Sequence, residues 1–165
     1  SGGARRLAYR QSFSAFHWVD AVVPYTFDPS VTSATQDTVR AAMLHLEAVS
    51  PLRFVVRTTE VDYVTVQVVA DTCSSSLGRI GGQQFVSLDG AGGCPPGTTI
   101  HELMHAVGAL HEQSRADRDD YITLLPDNIL DAFESQYAKH SVTSSFCGFA
   151  DCAADVLEYD YGSVM

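Results

Sequence analysis

Hydrophobic residues recur every three or four positions between residues 33 and 49, which predicts an amphipathic helix. Its apolar stripe consists of Val39, Met43, Leu46 and Val49. Ser33 or Thr35 would cap the start of the helix, and Pro51 would end it. The stripe places Met43 in the core, while His45 faces solvent.

Four other segments have the composition of β-strands. Residues 21–27, 52–57 and 63–69 are rich in β-branched and aromatic side chains. Pro24 indicates an edge strand or the start of a strand. Residues 77–88 resemble a strand weakened by glycines, a pattern typical of a close approach by another backbone.

A second helix is predicted after the Gly/Pro-rich turn at residues 90–97, starting near Thr98 or Thr99. Its buried stripe would consist of Ile100, Leu103 and Val107. The opposite, open side would then carry His101, Glu102 and His105. The element order β-α-β-β-β-α predicts a mixed α/β (α+β) fold with a twisted mixed sheet and two long helices. After the second helix, residues 125–130 favour a turn with a short helix, and residues 140–155 favour a loop.

The second helix carries the segment H-E-L-M-H-A-V-G-A-L-H, which starts at His101. Residues four apart on a helix share one face, so His101 and His105 would both reach an ion at about 2.0–2.1 Å. Glu102 lies beside them, where a carboxylate contacts a metal-bound water without being a ligand. Gly108 stands where helices commonly end, so the chain turns there and brings His111 to the same ion. A single histidine is ordinarily a surface or core residue, but this spacing predicts a catalytic zinc site.

Length and charge narrow the class of protein. The 165 residues suffice for one domain with a core, and the net charge is −10. Residues 117–160 contain ten acidic side chains against Arg118 and Lys139. Such a surface repels nucleic acid and anionic lipid, so neither is an expected partner. It either favours cationic substrates or only keeps the protein soluble.

No apolar run approaches the length of a membrane span, so none is expected. Residues 1–10 are polar and basic and lack the apolar stretch of a signal peptide. Secretion would therefore require a signal that has been removed.

The four cysteines form two pairs that are close in sequence. Cys73 and Cys94 flank a glycine-rich segment, and Cys147 and Cys152 close a short loop. We interpret them as two disulfides, which indicates an oxidising compartment and a secreted protein. In a cytosolic protein, such pairs would instead be metal ligands.

The chain resembles the astacin family of metzincin zinc endopeptidases over most of residues 18–165. The similar stretches include V-V-P-Y-T-F, R-F-V-V-R-T-T-E-V-D-Y-V, G-R-I-G-G-Q-Q-F-V-S-L, the zinc motif extended to Ile122, and Y-D-Y-G-S-V-M. The resemblance implies a metzincin fold with a zinc cleft and an abbreviated C-terminal lobe. It implies one catalytic domain, 1–165, divided into an N-terminal extension at 1–8, an upper lobe at 9–111 that ends with the zinc helix, and a partial lower lobe at 112–165.

The resemblance also assigns roles to residues. One Zn²⁺ per chain would be bound by His101, His105 and His111, with Glu102 as the general base. Met165 would be the Met-turn residue that packs beneath the zinc. Glu112 would contact the buried new N-terminus, near Tyr9, through a water. Substrate would lie along a cleft-edge strand formed by Gly81, Gly82, Gln83, Gln84, Phe85 and Val86, and a Cys73–Cys94 disulfide would bracket that strand.

The sequence departs from the family pattern in three places. Residues 1–8 precede the position near Tyr9 where the family's mature N-terminus would fall, so either maturation differs or a remnant of the propeptide is present. Members of the family continue after the methionine with His-Tyr, and that tyrosine is an additional zinc ligand. A chain that ended at Met165 would be slower by orders of magnitude, since one lost oxyanion donor costs roughly 3–4 kcal/mol in other enzymes. Pro51 stands where the family has a cysteine.

The expected function is that of a secreted, zymogen-derived zinc endopeptidase that acts on proteins or peptides. Its own propeptide is a further candidate partner. One alternative is a catalytically weak zinc-containing peptide-binding module, but the intact Glu102 argues against it. The other is an intracellular zinc hydrolase of another class, which the predicted disulfides disfavour.

Overall fold

The computed structural model describes residues 17–90, 94–139 and 158–165. These residues form two compact units. The sheet unit comprises the described residues up to Ala109 together with Val164. The turn unit comprises the described residues from Leu110 to Ser163 together with Met165.

The sheet unit contains five strands and two α-helices. In chain order these are β1 (Val22–Phe27), α1 (Ser33–Val49), β2 (Arg53–Val56), β3 (Tyr63–Val68), β4 (Ser74–Ser75), β5 (Gln83–Leu88) and α2 (Pro96–Ala106). The strands are ordered β2-β1-β3-β5-β4, and only β4 is antiparallel to its neighbour. The predicted mixed α/β fold with two helices is confirmed.

Apolar side chains from the sheet and both helices form the core of this unit. Fully buried members include Val23, Val39, Val64, Val66, Val86, Leu103 and Ala106. Trp18 joins them and donates its indole N–H to the carbonyl of Ala106 at 2.9 Å. The end of α2 is thereby fixed to the segment that precedes β1.

Helix α1 has the predicted bounds. Met43 is buried and His45 is exposed, as the stripe predicts. The predicted caps are wrong, because the Oγ1 of Thr32 accepts the bond from the Thr35 N–H. Three neighbouring hydroxyl residues fit the same pattern, and only the backbone geometry at the helix start selects one of them.

Pro24 lies inside β1, which pairs with strands on both sides, so the edge or start position predicted for it is wrong. Tyr25 bonds toward β2, since its carbonyl accepts the Arg57 N–H. Successive residues of a strand point their polar groups to opposite sides. The missing N–H of Pro24 therefore faces β3, whose pairing with β1 begins only at Tyr25.

Residues 77–88 form a strand only from Gln83 onward, so the predicted start was too early. Gly78, Gly81 and Gly82 have φ of 65°, 88° and 70°, which makes the preceding stretch a turn. The two-residue strand β4 was not predicted. Helix α2 begins at Pro96, two or three residues before the predicted start at Thr98 or Thr99, with Pro95 as its N-cap.

The turn unit consists of 3₁₀-helices and loops in its described part. The 3₁₀-helices span Glu112–Ser114, Arg118–Asp120, Pro126–Asn128 and Asp131–Tyr137. The third confirms the short helix expected at 125–130. The loop predicted at 140–155 and the extension at 1–8 lie outside the described residues, and the proposed division into lobes stays a prediction.

Among the residues that the structure describes, no helix combines the length and the apolar character that crossing a bilayer requires.

Candidate metal centre

Helix α2 presents two histidines on one face. The rings of His101 and His105 lie with their centroids 4.5 Å apart and their planes at 81°. The buried side of the helix carries Thr99, Glu102, Leu103 and Ala106. Both imidazoles are half-buried.

The helix ends in a glycine turn immediately after the second histidine. Gly108 has φ of 101°, a conformation that glycine adopts at little cost. Its N–H donates to the carbonyl of His105 at 2.8 Å, and the Ala109 N–H donates to the carbonyl of Met104 at 2.9 Å. This pair of bonds is a Schellman motif with glycine at C′, so the predicted helix end at Gly108 is confirmed.

The structure brings the three predicted histidines together. One ligand nitrogen each from His101, His105 and His111 lies within 4.8 Å of the others. Among the described residues, no other group of three or more histidine, cysteine, aspartate or glutamate side chains is placed to hold a metal ion. Three imidazoles and no thiolate form a donor set that suits a catalytic zinc ion, since one position remains for water or substrate.

Backbone carbonyls orient two of these rings. The Nδ1 of His105 lies 2.9 Å from the carbonyl oxygen of Ala109, and the Nδ1 of His101 is bonded to that of Val164. A carbonyl oxygen only accepts, so each Nδ1 carries the proton. The lone pair for a metal ion is then on Nε2, the arrangement common to metal-binding histidines. These residues therefore fit zinc in protonation as well as in position.

The sequence did not reveal these carbonyl contacts. We predicted Met165 as the residue supporting the site, whereas the described contact with His101 comes from Val164, one residue earlier. Met165 is buried, and its N–H donates to the Ser163 Oγ at 3.1 Å. Its role beneath a zinc ion stays a prediction. Every residue has a backbone carbonyl, so residue type cannot identify the carbonyls that contact the histidines. The glycine at 108 indicated a turn near the Ala109 carbonyl, and nothing in the sequence indicated the contact with Val164.

Glu102 is buried, with 5% of its surface exposed, so its predicted place on an open side of the helix is wrong. Burial raises the pKa of its carboxyl group, and His101 acts in the opposite direction when its ring is protonated and charged. A buried carboxylate with a raised pKa is a stronger proton acceptor than one in water. That is the property a general base requires.

Glu112 has partners within the turn unit. Its Oε1 lies 2.9 Å from Nη1 of Arg115 and accepts the Asp160 N–H at 2.9 Å. Arg115 also pairs with Asp117 at 2.8 Å and stacks over the Tyr159 ring. Tyr9, the residue near the expected new N-terminus, lies outside the described residues, so the proposed contact with Glu112 stays a prediction.

The edge of the sheet differs from the prediction for residues 81–86. Strand β5 lies between β3 and β4, so the outermost position belongs to Ser74–Ser75. Gly81 and Gly82 belong to the preceding turn, and the side chain of Gln84 is buried. The prediction of an edge strand at 81–86 is wrong, because Ser74 and Ser75 pair with Ser87 and Val86 on the outer side of β5. A strand of only two residues leaves no recognisable pattern in the sequence. A substrate-binding role for these residues stays a prediction.

A disulfide joins Cys73 and Cys94, whose Cα atoms lie 6.1 Å apart. It connects the residue before β4 to the segment that leads into α2. Cys147 and Cys152 lie outside the described residues.

Comparisons with known proteins agree with this geometry. The family model described as Astacin, a peptidase family, matches residues 11–165. The chain is 38% identical over 166 residues to zinc metalloproteinase nas-13 of Caenorhabditis elegans, covering 99% of this chain and 34% of that protein. It is 35% identical over 144 residues to high choriolytic enzyme 1 of Oryzias latipes, covering 87% of this chain and 49% of that protein.

A solved structure of high choriolytic enzyme 1, described as a hatching enzyme zinc-protease from the medaka fish, superposes with a TM-score of 0.75. The two chains are 33% identical, and the match covers 95% of this chain and 75% of that one. The chain thus spans between about a third and a half of the length of these two curated relatives. The resemblance to astacins is confirmed, and the chain belongs to the astacin family of peptidases.

Proposed function

We propose that this chain is a zinc-dependent endopeptidase in which Glu102 activates the attacking water. The observation that carries the proposal is the approach of three histidine nitrogens to within 4.8 Å on a segment that also holds a buried glutamate. One Zn²⁺ per chain would be held by His101, His105 and His111. When bound, the ion would lower the pKa of a water to about 7 and polarise a peptide carbonyl.

The chain's own residues would handle the protons. The carboxylate of Glu102 would take a proton from the attacking water and then give it to the departing amine. In the metal-free chain burial raises the pKa of this carboxyl, and a carboxylate with a raised pKa is the stronger proton acceptor. The carbonyls of Ala109 and Val164 would hold the Nδ1 protons and so keep each Nε2 directed at the ion.

Substrate would bind as an extended peptide along β4. This strand is outermost among the described strands and pairs only with β5 there, so its other side would accept a further strand. The Cys73–Cys94 disulfide holds one end of β4, which favours a preformed edge. Protein or peptide substrates, and the chain's own propeptide, are the partners this edge would accept.

Secretion is also part of the proposal. The Cys73–Cys94 disulfide supports it, because structural disulfides persist mainly in oxidising compartments.

The test is Glu102→Ala together with removal of the metal. The unaltered protein should bind one zinc per chain and cleave casein, and a chelator should abolish the cleavage. Glu102→Ala should retain zinc and lose at least about 10²-fold in turnover, the usual contribution of a general base. Glu134→Ala, which removes an exposed glutamate in the turn unit, is the matched control and should keep full activity.

Undiminished turnover in Glu102→Ala would remove this residue from the mechanism. A protein that binds zinc and extended peptides but cleaves none of them would favour the peptide-binding alternative.

A further inference from the structure

Gln84 has an unusual position for an amide side chain. It lies on β5 with 1% of its surface exposed, whereas most buried residues of the sheet unit are apolar. Its Nε2 donates to the carbonyl of Gly78 at 2.8 Å, and its Oε1 accepts the Ile80 N–H at 3.2 Å. One side chain thus closes the turn between β4 and β5 from inside.

The closed turn contacts the end of the zinc helix. The Gly78 N–H donates to the carbonyl of His105 at 2.8 Å. That carbonyl also accepts the Gly108 N–H at 2.8 Å, the bond that closes the Schellman turn. Gly78 is therefore held by Gln84 through its carbonyl and holds His105 through its N–H.

The turn at Gly108 also positions the acceptor of the His105 imidazole. Ala109 follows Gly108, and its carbonyl accepts the Nδ1 proton of His105. A change in the Gly108 turn would move this acceptor, and a carbonyl that fixes the orientation of a ligating imidazole raises metal affinity. Gln84 is thus connected to the His105 imidazole through four hydrogen bonds, two of which join backbone groups, and all four lie within the sheet unit.

We propose that Gln84 is a positioning residue for the metal ligand His105 and does not contact substrate through its side chain. The inference rests on the proposed zinc function. A buried amide with both ends bonded is costly to replace, because its partners, the Gly78 carbonyl and the Ile80 N–H, would lose their bonds. The turn would loosen, and the helix end with it.

The test compares Gln84→Met with Gln67→Met. Gln67 is a matched control, since it lies on β3 in the same sheet and its amide donates to the Ser87 Oγ at 3.1 Å. In the metal-free protein, Gln84→Met should speed amide exchange at Gly78, Gly108 and Ala109 by about tenfold relative to the control. It should also weaken zinc binding, measured by competition with a chromophoric chelator, by about threefold to tenfold.

Unchanged exchange at these amides, or faster exchange with unchanged zinc affinity, would overturn the proposal. Failure of the proposed function is seen separately, because the unaltered chain would then either bind no zinc or bind zinc without cleaving casein. If Gln84→Met does not fold, the unaltered metal-free protein still decides. The amides of Gly78, Gly108 and Ala109 should open together, with one free energy below that of global unfolding, and independent opening would contradict the connection.

Discussion

The sheet unit buries mostly apolar side chains, whereas the turn unit buries mostly polar ones. Strands and helices of the sheet unit share a core that includes Val23, Val64 and Leu103. Among the described residues of the turn unit, the buried ones are Ser114, Arg118 and Met165. Hydrophobic burial therefore stabilises the sheet unit, and hydrogen bonds to backbone carbonyls hold the loops of the turn unit.

The largest expected effect comes from the core of the sheet unit. Leu103→Ala removes a side chain of α2 that is 0% exposed and leaves a cavity in the core, so unfolding should require about 2–5 kcal/mol less. Leu44→Ala, at a position on α1 that is 64% exposed, is the control and should change stability by less than about 0.5 kcal/mol. Urea denaturation measures both. Equal losses would show that the cluster around Leu103 does not carry the stability of this unit.

Arg118 tests the turn unit in the same way. Its guanidinium donates to the carbonyls of Gln113 and Tyr137, and replacing it with methionine leaves both without this donor. We expect a loss of about 2–3 kcal/mol. Nη1 makes both of these bonds, and Nε donates to Asp119 at 2.9 Å. Arg118→Lys should recover less than half of the loss, because a single ammonium nitrogen cannot replace Nη1 and Nε together.

Local stability is the quantity to measure, by amide exchange at Tyr121 and Ile122, whose N–H groups donate to the Arg118 carbonyl. Arg40→Met, which removes an exposed arginine on α1, is the control and should have little effect. A full rescue by lysine would mean that charge alone, without the geometry of the guanidinium, holds these loops.

Gly108 lies where the chain leaves α2, and substituting it should have a smaller effect on stability. At φ of 101° an alanine is strained, so Gly108→Ala should cost about 1–2 kcal/mol. Gly97→Ala is the control, since a Cβ at Gly97 meets no atom within 4 Å and the residue is helical. It should stabilise the protein by up to about 1 kcal/mol. Thermal unfolding of the two variants should therefore shift in opposite directions, and parallel shifts would exclude the glycine turn as the determinant.

The same contrast explains what the sequence could predict. Period-3.6 and strand patterns depend on burial of apolar side chains, so they located α1 to the residue and found four of the five strands of the sheet unit. They failed at Ser74–Ser75, a strand of two polar residues. That strand displaces the edge from residues 81–86, where the family resemblance implied it. In the turn unit, Arg118 is buried through bonds to distant carbonyls, and no local pattern signals that.

The site divides in the same way. The spacing of His101, His105 and His111 is a property of the local chain, and it predicted their approach. The burial of Glu102 and the carbonyl of Val164 depend on contacts between residues far apart in sequence. Helix periodicity alone placed Glu102 on an open side, since the pattern of α2 cannot show what packs against it.

The smallest expected effect on stability comes from removing the polar bonds that hold a turn of the sheet unit. Asp62 pairs with Arg79 and accepts the Gly82 N–H, and that N–H and the bond from Arg79 lower the pKa of its carboxyl. A carboxyl whose pKa is lower in the folded state stabilises the protein above its unfolded pKa, near 3.9, and loses this contribution as the pH falls through the folded value. Asp62→Asn should therefore cost less than about 1 kcal/mol at pH 7, since the pair is partly exposed. The difference in stability between the two proteins should shrink as the pH falls below about 4.

A difference in urea midpoint that stays constant from pH 7 to pH 3 would show that the ionised carboxylate contributes nothing here. A loss as large as that of Arg118→Met would show that polar bonds matter equally in both units.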